Sequence, residues 1–156
     1  MKAFARRVIV TAGLTLAAGL LPQTANAIDF GIRGGLYTDV EEAFVGIELL
    51  SRIQRSQWYF NPNVEWVFLE NGDLITANID LHYDFPTSGQ FNAWLGGGLA
   101  VLFTDPDRGD SDTEPGLNLL AGLGFNPHGV VRPYLQGKII LADDSEAVIA
   151  IGLRFF

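Results

Sequence analysis

The sequence contains no cysteine and only two histidines among its 156 residues. A chain without cysteine forms neither disulfide bonds nor thiolate metal centres. Basic residues are also scarce, with 10 lysines and arginines against 18 aspartates and glutamates, so the formal net charge is −8. Proteins that bind nucleic acid through its phosphates need the opposite sign of charge. We therefore expect no nucleic-acid partner.

The apolar run at the start of the chain is too short to anchor it. It covers 8–21, whereas a membrane-spanning helix needs roughly 20 apolar residues. Three basic residues precede the run: Lys2, Arg6 and Arg7. A small-x-small cleavage motif follows it: Ala25-Asn26-Ala27. This pattern predicts a secretory signal peptide over 1–27, cleaved after Ala27, and leaves 28–156 as one domain. A retained helical anchor is the alternative.

Helical periodicity is missing after Ala27, and strict alternation of apolar and polar residues takes its place. In 75–85 every second residue is apolar. The residues between them are Thr76, Asn78, Asp80, His82 and Asp84. Segments 58–68 and 146–156 alternate in the same way, and a period of two indicates β-strands with one buried face.

Clusters of glycine, proline, asparagine and aspartate divide the remaining chain into strands of near ten residues. The predicted strands are 28–37, 43–52, 58–69, 74–85, 91–103, 116–125, 131–142 and 146–156. A tilted strand crosses a bilayer in roughly 9–11 residues. Short turns at 53–57, 86–90 and 126–130 alternate with outward connections at 38–42, 70–73, 104–115 and 143–145. The sequence thus predicts an all-β fold, an eight-stranded antiparallel up-and-down transmembrane β-barrel.

The two faces of these strands differ in charge. The apolar face carries no Asp, Glu, Lys or Arg, and the opposite face carries glycines and the following charges: Asp29, Arg33, Glu48, Arg52, Glu65, Asp80, Asp84, Arg132, Lys138, Glu146 and Arg154. A lysine or arginine facing lipid costs roughly 2–4 kcal/mol at the midplane, whereas mixed charges in a narrow lumen can pair. This favours a membrane barrel with a polar lumen. A soluble, periplasmic lipocalin-like barrel for a small ligand is the alternative.

Three short motifs carry a family resemblance. They are the alternating C-terminal segment 149–156, the strand Trp94-Leu95-Gly96-Gly97-Gly98-Leu99 and the strand opening Arg132-Pro133-Tyr134-Leu135. With them the chain resembles the small outer-membrane barrels typified by OmpX, the OmpA transmembrane domain and opacity-like surface antigens. The resemblance implies a monomer in the outer membrane, in contact with lipopolysaccharide, whose last strand is read by the barrel-assembly machinery. Members of this family end in a phenylalanine, and Phe155 occupies that position here. Phe156 is one residue more, so either the register of the last strand shifts by one or the assembly signal tolerates an extra residue.

Charged residues on the lumen face form the first candidate site. We expect an ion-pair network of Arg33, Glu48, Glu65, Lys138 and Arg154. Eight strands enclose only enough space for side chains, so the network is predicted to fill the lumen. A gate or an ion path is the alternative.

The outward connection 104–115 forms the second candidate site. It contains five carboxylates: Asp105, Asp107, Asp110, Asp112 and Glu114. Oxygen ligands at such spacing suit Ca²⁺, although the match to a calcium loop is partial and a solvated acidic loop is the alternative. The loop also holds Arg108-Gly109-Asp110, the tripeptide that integrins recognise. All other acidic residues except Asp29, Glu48, Glu65, Asp80 and Asp84 lie at this same end.

Enzymes of this fold class modify lipid A, and some use a serine, a histidine and an acid. The two histidines here are His82, with no serine on its lumen face at the same level, and His128, in a turn at the periplasmic end. The sequence therefore predicts a non-enzymatic outer-membrane barrel that serves envelope integrity or surface interaction through acidic external loops. A lipid A-modifying enzyme is a further alternative.

Overall fold

The structure is a computed structural model that describes residues 28–70, 72–87, 89–106 and 110–155. The predicted signal peptide, Asp107, Arg108-Gly109 and Phe156 lie outside the described residues. The strands are β1 (Ile28–Tyr37), β2 (Glu42–Arg52), β3 (Trp58–Leu69), β4 (Gly72–Asp84), β5 (Phe91–Pro106), β6 (Asp112–Phe125), β7 (Val131–Leu141) and β8 (Glu146–Phe155). Each strand pairs antiparallel with the next, and β8 pairs with β1, so the sheet closes into a barrel. The predicted fold is confirmed. Within the described ranges, no helix is long and apolar enough to cross a membrane.

One predicted connection is wrong. The sequence predicts a loop over 104–115, but β5 continues to Pro106 and β6 begins at Asp112. Thr104 lies opposite Asp112, and Asp105 lies opposite Asp73 of β4. Local turn residues favour a loop here, but pairing with two neighbouring strands outweighs that local preference.

Strand β4 also begins two residues earlier than predicted, at Gly72. This glycine has a φ of 142°, and a Cβ atom there would lie 2.6 Å from the carbonyl oxygen of Asp105. Only glycine permits both the backbone conformation and the close approach of β5. The β4–β5–β6 side of the barrel therefore extends further than the sequence indicates.

The two ends of the barrel differ in their connections. We call the end where β1 begins the terminal end, which also holds the turns 53–57, 85–90 and 126–130. We call the opposite end the loop end, with connections at 38–41, 70–71, 107–111 and 142–145.

The strands follow the predicted register, with an apolar outer face and the belt of charged residues on the lumen face. Large apolar side chains are exposed on every strand, among them Ile32, Val45, Trp66, Leu81, Leu95, Leu119, Leu135 and Ile151. Aromatic rings pack against one another towards both ends of this outer surface. Trp58 contacts Tyr83 and Phe91 contacts Phe125 near the terminal end, with ring centroids 5.4 and 5.3 Å apart. Such a surface suits a hydrocarbon environment flanked by interfaces.

Pro62 interrupts the ladder between β2 and β3. Pairing with β3 runs from Phe44 to Glu48 and resumes only at Ser51. Leu49 and Leu50 therefore have no partner on β3, next to the proline. Proline has no N–H to donate to the ladder. The side-chain amide of Asn61 donates to the carbonyl oxygen of Leu49 at 2.8 Å, so a side chain supplies a donor at this point.

Candidate functional site

The lumen contains three layers that follow one another from the terminal end to the loop end. The first is a cavity open at the terminal end. The second, which we call the ion-pair belt, consists of Arg33, Glu48, Glu65, Lys138 and Arg154. The third, the apolar plug, is a cluster of buried side chains near the loop end.

The ion-pair belt brings together all five residues that the sequence indicates. Arg154 Nε donates to Glu48 Oε1 at 2.8 Å, and Arg33 Nη1 lies 3.6 Å from Glu48 Oε2. Arg33 Nε lies 3.2 Å from Glu65 Oε1, and Lys138 Nζ donates to Glu65 Oε2 at 2.8 Å. Five strands contribute one residue each, and every side chain is at most 6% exposed. The ions form a continuous chain of alternating sign.

Glycines on neighbouring strands make room for this chain. A Cβ atom at Gly46 would lie 3.2 Å from the side chains of both Arg33 and Glu65, and one at Gly31 would lie 2.6 Å from Glu48 Cγ. These contacts are tighter than side chains accept without moving. Gly31 and Gly46 thus leave space for the large charged side chains of the belt.

Uncharged polar groups complete the belt. Tyr37 Oη donates to Glu65 Oε2 at 2.5 Å, and Asn61 Nδ2 donates to Glu48 Oε2 at 3.1 Å. A third carboxylate, Asp80, accepts from Asn63 at 2.9 Å and from Asn118 at 2.7 Å. When Asp80 is counted with the belt, three cations face three anions, so these six groups are formally neutral together. Buried charges are tolerated only when they are paired and bonded in this way.

The sequence prediction of the site does not include these amides. A signal is present, because Asn61, Asn63, Asn78 and Asn118 all fall on the lumen face of alternating strands. An asparagine amide has two N–H donors, so it can bond a carboxylate and a second acceptor at once, as Asn61 does with Glu48 and the carbonyl oxygen of Leu49.

The apolar plug also differs from the sequence prediction, which is a polar lumen. Its members are Tyr37, Phe44, Val67, Leu74, Ala100, Leu102, Ile140, Val148 and Ala150. The rings of Tyr37 and Phe44 meet edge to face with centroids 5.5 Å apart. The signal that could have indicated it is the short continuous apolar run, such as 139–141 or 147–151, which indicates burial on both faces of a strand. The plug fills the lumen towards the loop end.

The terminal-end cavity has a volume of about 340 Å³. Arg52, Arg132, Asp84 and Tyr59 line it, with Trp94, Tyr134 and Arg154 towards the ion-pair belt. The Arg154 guanidinium lies 4.9 Å from the Trp94 ring centroid and 4.3 Å from that of Tyr134. Arg132 donates a hydrogen bond to Asp29.

His82 is buried in the lumen, next to the residues Tyr59 and Trp94 that line this cavity. Its ring stacks on Tyr59 at 5.5 Å and lies 5.6 Å from Trp94. Its Nε2 lies 3.2 Å from Asp84 Oδ1, and among the described residues neither ring nitrogen has a partner at hydrogen-bond geometry. A general base for a serine would have to bond the hydroxyl group. His128 lies exposed in the turn 126–130.

The described carboxylates of the predicted calcium loop are not gathered at one point. Asp105, Asp112 and Glu114 lie on strands, and Asp110 is exposed. Asp105 Oδ1 accepts from Ser111 Oγ at 2.8 Å, and Asp112 Oδ1 accepts from the backbone of Thr113 at 2.8 Å. Of the residues that the structure describes, no three histidines or carboxylates lie close enough together to hold a metal ion. Calcium binding stays a prediction, because Asp107 lies outside those residues.

No known protein-family model matches the chain, and no curated protein matches its sequence. Several solved structures match its fold. The N-terminal β-barrel domain of Pseudomonas aeruginosa OprF is 16% identical with a TM-score of 0.69, over 83% of this chain and 96% of that one. Neisserial surface protein A is 16% identical with a TM-score of 0.64, over 82% and 93%. Ail, the attachment invasion locus protein of Yersinia pestis, is 16% identical with a TM-score of 0.54, over 82% and 95%.

All three are small eight-stranded outer-membrane barrels. The chain therefore has the fold of this class of proteins, as its sequence motifs indicate. At 16% identity the likeness extends to the fold alone.

Proposed function

We propose that the protein is a non-enzymatic, closed barrel of the outer membrane that serves envelope integrity or surface interaction. The observation that carries this proposal is the combination of an apolar outer surface with a lumen filled by paired ions and an apolar plug. Such a molecule is stable in a bilayer and has little room for transport. We further propose that it is monomeric, that lipopolysaccharide surrounds its loop end, and that the barrel-assembly machinery recognises β8.

The distribution of polarity supports a membrane barrel over the lipocalin-like alternative. A soluble barrel for an apolar ligand keeps its apolar residues inside and its charges in water. Here Leu99 and Ile151 of the outer surface are 61% and 64% exposed, whereas Glu65 and Asp80 of the lumen are fully buried. Inverting these faces would require a register shift of one residue on every strand.

Acidic residues at the loop end support a surface role. Asp39, Glu41, Asp143 and Asp144 are exposed there, beside Asp105 and Asp112 of the extended β5–β6 side. Ail has been solved with the heparin analogue sucrose octasulfate, a polyanion. Like charges repel, so we expect this loop end to reject such polyanions and to favour cations or cationic partners.

The position of His82 supports a non-enzymatic role over a lipid A-modifying enzyme. Its ring is 1% exposed and lies between Tyr59 and Trp94, inside the barrel and nearer the terminal end. An acyl chain of lipid A lies outside the barrel. Release of fatty acid from lipopolysaccharide by the purified protein would contradict this part of the proposal.

Electrophoresis of the native outer-membrane fraction, unheated against boiled in SDS, tests the membrane location. A closed membrane barrel stays folded in SDS until it is heated, so we expect a band in that fraction whose mobility changes on boiling. A protein found in the soluble periplasm with no change in mobility would contradict the proposal and favour the lipocalin-like alternative.

A further inference from the structure

The terminal-end cavity is a blind pocket. It opens between the turns of the terminal end, and the ion-pair belt and the apolar plug fill the lumen beyond it. Its volume of about 340 Å³ falls within the range of small-molecule sites, which is roughly 300–1,000 Å³. A ligand of that size can enter and leave only from the terminal end.

Arginine predominates among the charged residues of the described lining. Among the described lining residues, Arg52, Arg132 and Arg154 stand against one carboxylate, Asp84. Each arginine is held in place, because Arg52 Nε donates to the carbonyl oxygen of Ser56 at 2.6 Å and the other two bond Asp29 and Glu48. The pocket thus presents the N–H groups of three fixed guanidiniums, and two of their counter-ions, Asp29 and Glu48, lie outside its lining. This arrangement favours anions.

Aromatic rings form the rest of the deeper wall. Tyr59, Trp94 and Tyr134 all line the cavity. Trp94 is anchored by its indole N–H, which donates to Gln136 Oε1 at 3.2 Å. Tyr59 is partly exposed, whereas Trp94 and Tyr134 are 1% and 4% exposed, so Tyr59 offers most of the ring surface on which a flat, apolar group can pack. A ligand that uses both features has an anionic group and a flat body.

We propose that the terminal-end cavity binds a small organic anion with a flat apolar body, held by the guanidinium groups of Arg52, Arg132 and Arg154 and by the rings of Tyr59, Trp94 and Tyr134. The inference rests on the shape and charge of the lumen and not on the location of the protein. Its failure would therefore leave the proposed membrane role unaffected.

Titration of the folded, detergent-solubilised chain with phenyl phosphate tests the inference, with the fluorescence of Trp94 as the signal. The sequence has three tryptophans, so replacing the outward-facing pair, Trp58→Phe and Trp66→Phe, leaves Trp94 as the reporter. We expect a saturable change for phenyl phosphate. Inorganic phosphate should bind about tenfold or more weakly, because it lacks the ring whose burial contributes to affinity. Benzylammonium, which has the ring but a positive charge, should not bind.

Two arginines of the same segment provide a matched comparison. Arg52→Gln removes a lining guanidinium and should weaken phenyl phosphate binding about tenfold, the effect of one lost charged hydrogen bond. Arg55→Gln removes the same charge from an exposed position outside the described lining of the cavity, and should leave binding unchanged. The double variant Asp29→Asn with Arg132→Gln removes a second guanidinium together with the carboxylate that it bonds, and should also weaken binding.

The inference is overturned by any of three results. Phenyl phosphate causes no saturable change at concentrations on the order of 10 mM, where even a weak site would fill. Alternatively, Arg52→Gln and Arg55→Gln weaken binding equally, which indicates attraction by overall charge alone. Finally, benzylammonium binds as tightly as phenyl phosphate, which indicates a pocket that selects only the ring.

Discussion

Glu65 is a single residue on which much of the ion-pair belt depends. It contacts the cations Arg33 and Lys138 and accepts from the hydroxyl groups of Tyr37 and Thr76. The variant Glu65→Gln leaves two buried cations with less compensation. We expect it to lower the free energy of unfolding by about 3–5 kcal/mol, the usual result of removing one partner of a buried pair. Urea unfolding of the vesicle-embedded protein measures the loss, and exposed Asp110→Asn should change stability by less than about 0.5 kcal/mol.

Removing the partner as well provides the control for that experiment. In the double variant Glu65→Gln with Lys138→Met, one of the two uncompensated cations is gone, so part of the lost stability should return. Simple addition of the two single losses would contradict the pairing seen between Lys138 Nζ and Glu65 Oε2.

Two glycines on adjacent strands give opposite expectations for the same substitution. A methyl group at Gly122, on β6, would overlap the indole ring of Trp94, whereas one at Gly137, on β7, would meet no described residue within 4 Å. We expect Gly122→Ala to cost about 1–3 kcal/mol through overpacking of the lumen. Gly137→Ala should cost little or stabilise. Equal effects in thermal or urea unfolding would contradict the assignment of the two faces.

The alternation of apolar and polar residues is enough to predict on which face of the barrel most residues lie. The period of two assigns a face to each residue, so the positions of Arg33, Glu48 and Glu65 along the chain are enough to place them in the lumen. The same period cannot give the height of a residue along the barrel in relation to the other strands. For that reason alternation does not reveal the apolar plug, although its members lie on the predicted lumen face.

At the scale of strands, the ends of each strand depend both on local turn-forming residues and on hydrogen-bonded pairing with the neighbouring strands. Six of the eight predicted strands agree with the structure within two residues at each end, because turn residues there coincide with the ends of the ladders. The other two, β5 and β6, run into the segment 104–115, where the turn formers Asp105, Pro106, Asp112 and Pro115 nevertheless lie in paired strands. Of its predicted calcium ligands, Asp105 consequently lies on one strand and Asp112 and Glu114 on the next.

The irregular pairing of β2 with β3 leads to an element-scale prediction. Asn61 Nδ2 bonds both the carbonyl oxygen of Leu49 and Glu48 Oε2. Asn61→Ala should therefore cost about 1–3 kcal/mol, because two buried acceptors lose a donor. In a Pro62→Ala background the backbone N–H at 62 becomes available, so the same substitution should cost less. A double-mutant cycle measures this coupling, and strictly additive losses would contradict it.

At the scale of the whole molecule, the belt and the plug together predict the electrical behaviour of the barrel. Paired ions fill the middle of the lumen and buried apolar side chains fill the part near the loop end. We expect no stable, large conductance when the purified protein is inserted into a planar lipid bilayer. Steps on the nanosiemens scale would contradict the prediction and favour the alternative in which the belt is an ion path.

The order of the belt's members along the chain has a consequence for biosynthesis. Arg33, Glu48 and Glu65 belong to β1, β2 and β3, and their remaining counter-ions, Lys138 and Arg154, belong to β7 and β8. A chain truncated before β7 thus holds both belt carboxylates in its prospective interior with a single belt cation between them. Its unfinished barrel differs from the finished one in charge balance as well as in length. The carboxylates of the belt are fully paired only when β7 and β8 are present, so the interior charges of a truncated chain stay uncompensated.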